Sequence, residues 1–174
     1  SEIGVPLTIL GLRNGWLNPF KWGWNLTKGF FISFFSRSYP KVLVLEIGAD
    51  KPHDIESLVR WLKPDIAVLT SLPETPVHVA NFPSVEAVHQ EKLNLLKALR
   101  KDGVAILNAD DLKIMEAQSR LNLGKKILFG LEVGDVTAKD IFVPEFCNPY
   151  PALAGACVAK ALGMDMAKIK EIFK

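Results

Sequence analysis

The chain has 174 residues, of which 49% are hydrophobic and 23% are charged, and its formal net charge is +2. This composition predicts a packed domain of ordinary size and excludes wholesale disorder. The net charge is too small to indicate a nucleic-acid partner. The two cysteines, Cys147 and Cys157, fit no zinc or disulfide framework, so a reducing, cytoplasmic setting is expected.

An aromatic helix is the first element that the sequence predicts, within residues 16–39. Asn18 suits an N-cap and Pro19 the first helical position. A largely apolar stripe then recurs at three- and four-residue spacing, at Phe20, Trp24, Thr27, Phe31 and Phe34 or Phe35. One interpretation is a helix that docks on the sheet or on another domain. The other is an interfacial membrane anchor, because basic residues lie near the aromatic ones: Lys21, Lys28 and Arg37.

Short apolar runs rich in Val, Ile and Leu come next, as expected of parallel strands that are buried on both faces. They span residues 42–45, 66–69, 104–107 and 127–129. Helical patterns lie between them, at residues 54–62, 84–99 and 110–121, with Ser84 as an N-cap. After Gly134 the pattern is compatible with a strand over 136–143, followed by helices over 149–162 and 166–173. This alternation predicts an α/β fold with a mostly parallel sheet flanked by helices on both faces.

Polar side chains follow three of these predicted strands, at the end where open parallel sheets bind ligands. Glu46 follows the first strand, His78 lies in the segment after the second, and Asn108 and Asp110 follow the third. Lys92 lies on the helix after His78. A carboxylate and an imidazole together can hold a divalent ion near phosphates.

Each of these side chains also has a plainer interpretation, as a turn cap, a surface residue or a helix cap with no role in binding. That alternative applies to Glu46, His78, Lys92, Asn108 and Asp110. The two other histidines, His53 and His89, have no partners at ligand spacing, and both are interpreted as surface residues.

Five segments, each weak by itself and fairly specific in combination, resemble motifs of the Mur ligase family. They are SEIGVPLTIL, LEIGAD, the run from PDIAVLTSL through His78, Phe82 and Ser84 to Lys92, DGVAILNADD, and NPYPALAGACVAKALG. The step of fourteen residues from His78 to Lys92 also fits the family. The resemblance covers most of the chain except residues 16–39.

The resemblance implies that residues 1–174 form the central, ATP-binding domain of such a ligase, with residues 16–39 as an atypical aromatic helical insertion. The fold would be the P-loop-type fold of Mur ligase central domains. Six residues receive roles: Glu46, His78 and Lys92 as catalytic residues that bind Mg²⁺ next to ATP phosphates, and Asn108, Asp110 and Asn148 as contacts of the adenine or ribose. Lys92 would be carbamylated, which turns an amine into an anionic oxygen ligand.

The implied reaction activates a carboxylate as an acyl phosphate, from which an amine then displaces phosphate. In the intact enzyme the partners would be a UDP-linked muramoyl peptide and an amino acid or dipeptide, and the pathway would be peptidoglycan precursor synthesis. A nucleic-acid partner is not expected, and a membrane surface is not favoured.

The chain also departs from the family's pattern. It contains no G-x-x-x-x-G-K-[ST] loop, which would lie upstream of Ser1, and no C-terminal substrate domain. We therefore expect a truncated central domain that does not turn over by itself. Ala80 and Cys147 stand where relatives often have a glutamate and a histidine. One alternative is a non-catalytic binding or scaffold module that kept the fold and lost the phosphate loop. Another is a module that associates with a membrane surface through the aromatic helix.

Overall fold

A computed structural model describes residues 3–35 and 39–173, which fall into two compact units, Ser1–Asp50 and Lys51–Lys174. Residues 36–38 of the aromatic stretch, with Arg37, lie outside the described residues. The assignment of residues 1–174 to one domain, and of residues 16–39 to an insertion, stays a prediction.

The described residues of the first unit form two helices, α1 (Gly4–Ile9) and α2 (Pro19–Phe35). The predicted cap of α2 is confirmed, because Oδ1 of Asn18 accepts a hydrogen bond of 3.1 Å from the backbone N–H of Lys21. The segment before α2 is held against it by Asn25, whose buried amide donates to the carbonyl oxygen of Arg13 over 2.7 Å. Within the part of the chain that is described, no helix has both the length and the apolar character needed to cross a bilayer.

The prediction of a strand over residues 42–45 is wrong. The structure assigns no strand there, and Val42, Leu43 and Val44 are 50%, 39% and 82% exposed. An apolar run becomes a strand only when a neighbouring strand satisfies its backbone N–H and C=O groups. Among residues 3–35 and 39–173, none pairs with this run, and Glu46 therefore does not follow a strand.

The second unit is built on a parallel sheet of four strands: β1 (Ile66–Leu69), β2 (Val104–Asn108), β3 (Lys125–Gly130) and β4 (Val136–Thr137). Their spatial order is their order in the chain. The predicted strands at 66–69, 104–107 and 127–129 are confirmed, whereas β4 ends well before residue 143. It ends early because the Asp140 carboxylate accepts from both the N–H and the hydroxyl of Thr137, which turns the chain.

The described part of the second unit also contains five helices: α3 (Asp54–Val59), α4 (Val85–Lys97), α5 (Leu112–Ser119), α6 (Pro149–Ala161) and α7 (Met166–Ile172). A 3₁₀ turn, Val79–Asn81, precedes α4. Ser84 caps α4 as predicted, by accepting from the N–H of Ala87 over 3.2 Å. A break at Gly163, where φ is +87°, follows α6.

Helices cover both faces of the sheet, which confirms the predicted α/β architecture. On one face α6 and α7 pack on the fully buried side chains of Ile106, Phe129 and Val136. On the other face α4 and α5 pack on the neighbouring residues of β2, Ala105 and Leu107. Each large apolar side chain removed from water in this way contributes roughly 1.5–3 kcal/mol.

The connection from β3 to β4 is unusually short for parallel neighbours, which ordinarily need a crossover of a dozen or more residues. Here residues 131–135 suffice, because Asp135 binds Leu128 twice. Its N–H donates to the Leu128 carbonyl, and its carboxylate accepts from the Leu128 N–H, both over 2.8 Å. Gly134 has φ +148°, and a Cβ there would lie 2.8 Å from the Leu128 carbonyl oxygen.

We expect Gly134→Ala to lower the free energy of unfolding by about 1–3 kcal/mol, because alanine is strained at this φ and its Cβ collides with backbone. Gly155→Ala is the matched control, since Gly155 lies in α6 with open space around it, and there alanine should stabilise by about 0.5–1 kcal/mol. Urea denaturation measures both. Equal stabilities of the two variants would contradict this account of the loop.

Candidate functional site

A cleft of about 630 Å³ lies at the carboxyl ends of β1 and β2. Its walls come from three places: the loop after β1 at residues 70–74, the segment after β2 at residues 108–113, and the start of α6 at residues 148–151. The three residues predicted to bind the cofactor, Asn108, Asp110 and Asn148, all line it. The structure thus brings together residues that lie as far as forty positions apart in the chain.

Asn108 connects the ends of two strands. Its side chain is 6% exposed, its amide donates to the Thr70 carbonyl oxygen over 3.0 Å, and its oxygen accepts from the Asp110 N–H over 3.0 Å. Asparagine suits this place because it carries a donor and an acceptor on one short side chain. Both groups are bonded to backbone, so Asn108 shapes the cleft wall.

Asp111 makes three hydrogen bonds to backbone. One oxygen accepts from the Leu72 N–H over 2.7 Å, and the other caps α5 by accepting from the N–H groups of Lys113 and Ile114 over 3.0 and 3.1 Å. The sequence interpretation placed this cap at Asn108 or Asp110 and gave Asp111 no role. Its position directly before the apolar helical pattern was the signal for a cap.

Asp110 connects the cleft to β3 and α6. Its carboxylate accepts from the Leu131 N–H, just after β3, over 2.7 Å. The pKa of Tyr150 in α6 is raised, first by burial and then by the negative charge of Asp110. A hydrogen bond between Tyr150 and Asp110 raises it further. The close approach requires glycine at position 130, where a Cβ would lie 2.9 Å from Oδ1 of Asp110. Asn148 caps α6, with its oxygen accepting from the Tyr150 N–H over 3.1 Å.

Two side chains of α4 hold the loop at residues 70–74. Nζ of Lys92 donates to the Ser71 carbonyl oxygen over 3.4 Å, and Nε2 of His89 lies 2.9 Å from the Pro73 carbonyl oxygen. The prediction that His89 is a surface residue is wrong, since it is 4% exposed. Its spacing of four and seven residues from the buried Leu93 and Leu96 placed it on the apolar face of the helix.

Lys92 is half-buried, and its surroundings alter its acidity. Burial lowers the pKa of the Lys92 amine, because the charged form loses hydration, and the nearby Asp111 carboxylate partly opposes this effect. The amine is therefore neutral in a larger fraction of molecules than an exposed lysine at the same pH. Since Ser71 and Asp111 both line the cleft, Lys92 lies beside it.

The predicted metal ligands are divided between the two units: Glu46 belongs to the first, and His78 and Lys92 belong to the second. His78 is exposed in the second unit, with φ +63° just before the 3₁₀ turn, and Glu46 is exposed in the first unit. Among residues 3–35 and 39–173, no group of three or more His, Cys, Asp and Glu side chains could hold a metal ion. A magnesium site at Glu46, His78 and Lys92 stays a prediction.

We expect Asp111→Ala to cost about 2–4 kcal/mol of unfolding free energy, because it removes a helix cap and leaves the Leu72 N–H unpaired. Glu116→Ala, on the same helix, is the control. It removes only an exposed ion pair with Arg120, worth about 0.3–0.5 kcal/mol. Urea denaturation distinguishes the two variants, and similar losses in both would show that Asp111 has no special role.

Comparison with known proteins identifies the family and the fold. The enzyme named UDP-N-acetylmuramoyl-tripeptide–D-alanyl-D-alanine ligase in Buchnera aphidicola subsp. Baizongia pistaciae is 34% identical over 110 residues, which cover 63% of this chain and 18% of that protein. The protein of the same name in Bacillus subtilis (strain 168) is 33% identical over 119 residues, covering 68% of this chain and 20% of that protein.

A solved structure, the MurF ligase from Thermotoga maritima in complex with ADP, matches with a TM-score of 0.63 at 23% identity. The match covers 92% of this chain and 42% of that chain, and it shows that the two share a fold. This chain therefore spans less than half of the length of these relatives. A model of the Mur ligase middle domain matches residues 26–151, more than two thirds of the chain. The chain belongs to the Mur ligase middle domain family.

Proposed function

We propose that this chain supplies the adenine-nucleotide-binding part of an ATP-dependent ligase that joins a carboxylate to an amine in peptidoglycan precursor synthesis. The observation that carries the proposal is the cleft that Asn108, Asp110 and Asn148 line, at the carboxyl ends of parallel strands in a Mur ligase middle domain. That end of an open α/β sheet is where such folds bind ligands. A solved relative with the same fold carries ADP.

In this proposal the side chains of the cleft have different roles. Asn108 and Asp111 hold the walls of the cleft in place through backbone hydrogen bonds, as described above. Asn148 lines the cleft at the start of α6, where its side-chain oxygen accepts from the Tyr150 N–H and its side-chain amide is a donor for a ligand. Tyr150 lines the same wall with an aromatic ring, a surface on which a base can stack.

We further propose that Lys92 is the carbamylated lysine. The neutral amine is the form that reacts with CO₂, and burial increases its fraction. The Nζ lone pair attacks the carbon of CO₂, and an N–C bond forms as the electron pair of one C–O π bond moves to oxygen. The nitrogen then gives up a proton to water, which leaves an anionic carbamate. Mg²⁺, held by this carbamate with Glu46 and His78 as the resemblance implies, would neutralise charge on phosphoryl oxygens.

The complete reaction is also a proposal, because the chain covers only about a fifth of each of the two curated relatives described above. It would form an acyl phosphate on a UDP-linked muramoyl peptide in the cytoplasm, and an amino acid or dipeptide would displace phosphate. The sequence contains no phosphate loop of the G-x-x-x-x-G-K-[ST] type, so we expect weak nucleotide binding and no turnover by residues 1–174 alone.

Asn148→Asp tests the cleft. Aspartate keeps the oxygen that caps α6, so stability should not fall, but it replaces an amide donor with a negative charge beside an anionic ligand. We expect at least tenfold weaker ADP binding, equivalent to about 1.4 kcal/mol. Titration followed by two-dimensional NMR measures this, with shifted amides at the non-proline residues of 70–74, 108–113 and 148–150.

Asn122→Asp is the matched control. Asn122 lies in a different cavity, near the start of β3, and its substitution should leave ADP binding unchanged. ADP that shifts no amide of the cleft in the wild-type chain, or that binds the Asn148→Asp and Asn122→Asp variants equally well, would refute the proposed site.

Carbamylation of Lys92 is tested with ¹³C-labelled bicarbonate. We expect a carbamate carbon resonance at a pH below the ordinary pKa of lysine, because the pKa of Lys92 is lowered. The resonance should vanish in Lys92→Arg and persist in Lys97→Arg, which changes an exposed lysine of the same helix. A resonance that survives Lys92→Arg would show that the carbamate is on another residue. That result would not count against the proposed nucleotide site.

A further inference from the structure

The aromatic helix α2 presents its apolar residues outward. Six aromatic side chains of this helix are between 56% and 87% exposed: Phe20, Trp24, Phe30, Phe31, Phe34 and Phe35. At 3.6 residues per turn they fall within an arc of about 140°. This aromatic face is the reverse of the usual arrangement, in which the apolar stripe of a surface helix points into the core.

The opposite side of α2 is the packed one. Asn25 and Gly29 are buried there, and a Cβ on Gly29 would touch the Leu10 side chain at 3.3 Å. Trp22 belongs to this side as well, since its Nε1 donates to the Trp16 carbonyl oxygen over 2.8 Å. The contacts of the first unit therefore fix which side of α2 is exposed, and the aromatic face is not needed to hold the unit together.

The charge around the aromatic face indicates which kind of partner it fits. Residues 3–45 contain five basic residues, Arg13, Lys21, Lys28, Arg37 and Lys41, and no aspartate or glutamate. On the helical projection Lys28 and Lys21 border the aromatic face directly. A convex apolar face with cations along its edge matches the helices that lie in the interface of an anionic bilayer.

A shallow cavity at the start of the helix fits the same partner. It measures about 670 Å³ and is lined by two cations, Arg13 and Lys21, with the aromatic side chains of Trp16, Phe20 and Trp24. The cations suit a phosphate headgroup, while the rings suit the boundary between headgroups and acyl chains. Tryptophan is enriched at that depth because its indole has both an apolar body and a polar N–H.

We propose that the aromatic face of α2 docks this protein on the surface of a membrane that contains anionic phospholipids. The rings of Phe20, Trp24, Phe31 and Phe34 enter the interface, and Lys21 and Lys28 contact the headgroups. This inference concerns the first unit and is independent of the nucleotide cleft, which is lined by residues of the second unit alone.

Vesicle flotation tests the proposal with the chain as it stands. We expect binding to vesicles of phosphatidylcholine mixed with phosphatidylglycerol, weaker binding to phosphatidylcholine alone, and release by salt. Phe20→Ser with Phe34→Ser should weaken binding about 100-fold, at roughly tenfold for each ring. Phe142→Ser with Phe146→Ser, which changes two exposed phenylalanines of the second unit, should leave binding unchanged.

A pair of charge-reversing substitutions provides a second test of the same proposal. Lys21→Glu with Lys28→Glu should weaken binding by at least about 30-fold, from roughly a fivefold contribution of each lysine. Lys101→Glu with Lys168→Glu, which alters two exposed lysines of the second unit, is its control. Lys21 and Lys28 are both exposed, so the charge-reversal variant should keep its fold. It therefore tests the proposal even if circular dichroism shows that the phenylalanine variant misfolds.

Wild-type chain that stays with the lipid-free fraction would overturn the proposal. So would vesicle binding that is equal in the α2 variants and their controls. If sedimentation velocity without lipid shows an oligomer that Phe20→Ser with Phe34→Ser dissociates, and vesicles are not bound, the aromatic face is instead an interface between copies of this chain.

Discussion

The ends of three neighbouring strands are held together by one short polar segment, residues 108–111, and the shape of the cleft depends on it. Asn108 bonds to the backbone after β1, Asp111 bonds further along the same loop, and Asp110 bonds to the backbone after β3. Parallel strands leave unpaired backbone groups at their carboxyl ends, and each such group that stays buried is costly. The same hydrogen bonds that satisfy those groups position the walls of the cleft.

Helix α4 supports this arrangement from one side of the sheet. His89 and Lys92 contact carbonyl oxygens of the loop after β1, while the buried carboxylate of Glu91 accepts from the first N–H groups of α3 over 2.6 and 2.8 Å. One helix therefore fixes both a wall of the cleft and the start of a neighbouring helix. A lysine that is partly buried for this structural reason also acquires a lowered pKa, which is the property that carbamylation requires.

Sequence reasoning was most successful where local pattern and tertiary context agree. The buried strand at residues 66–69 was predicted to the residue, and the caps at Asn18 and Ser84 were recognised from side-chain chemistry. It failed at residues 42–45, whose apolar run pairs with no strand in the described structure. It also failed at His89, because a histidine was weighed as a ligand and not as a member of an apolar helical face.

The sequence by itself determined the α/β class, the family resemblance and the identity of the polar residues at the strand ends, because hydrophobic period and capping chemistry are local properties. It also contained the aromatic stripe of α2. Only the tertiary structure decided that Asn108, Asp110 and Asn148 line one cleft, and that the aromatic stripe faces outward while Trp22 and Asn25 face inward. Those facts depend on which elements pack together, and a linear pattern of residues does not specify the neighbour on the other side of a helix or strand.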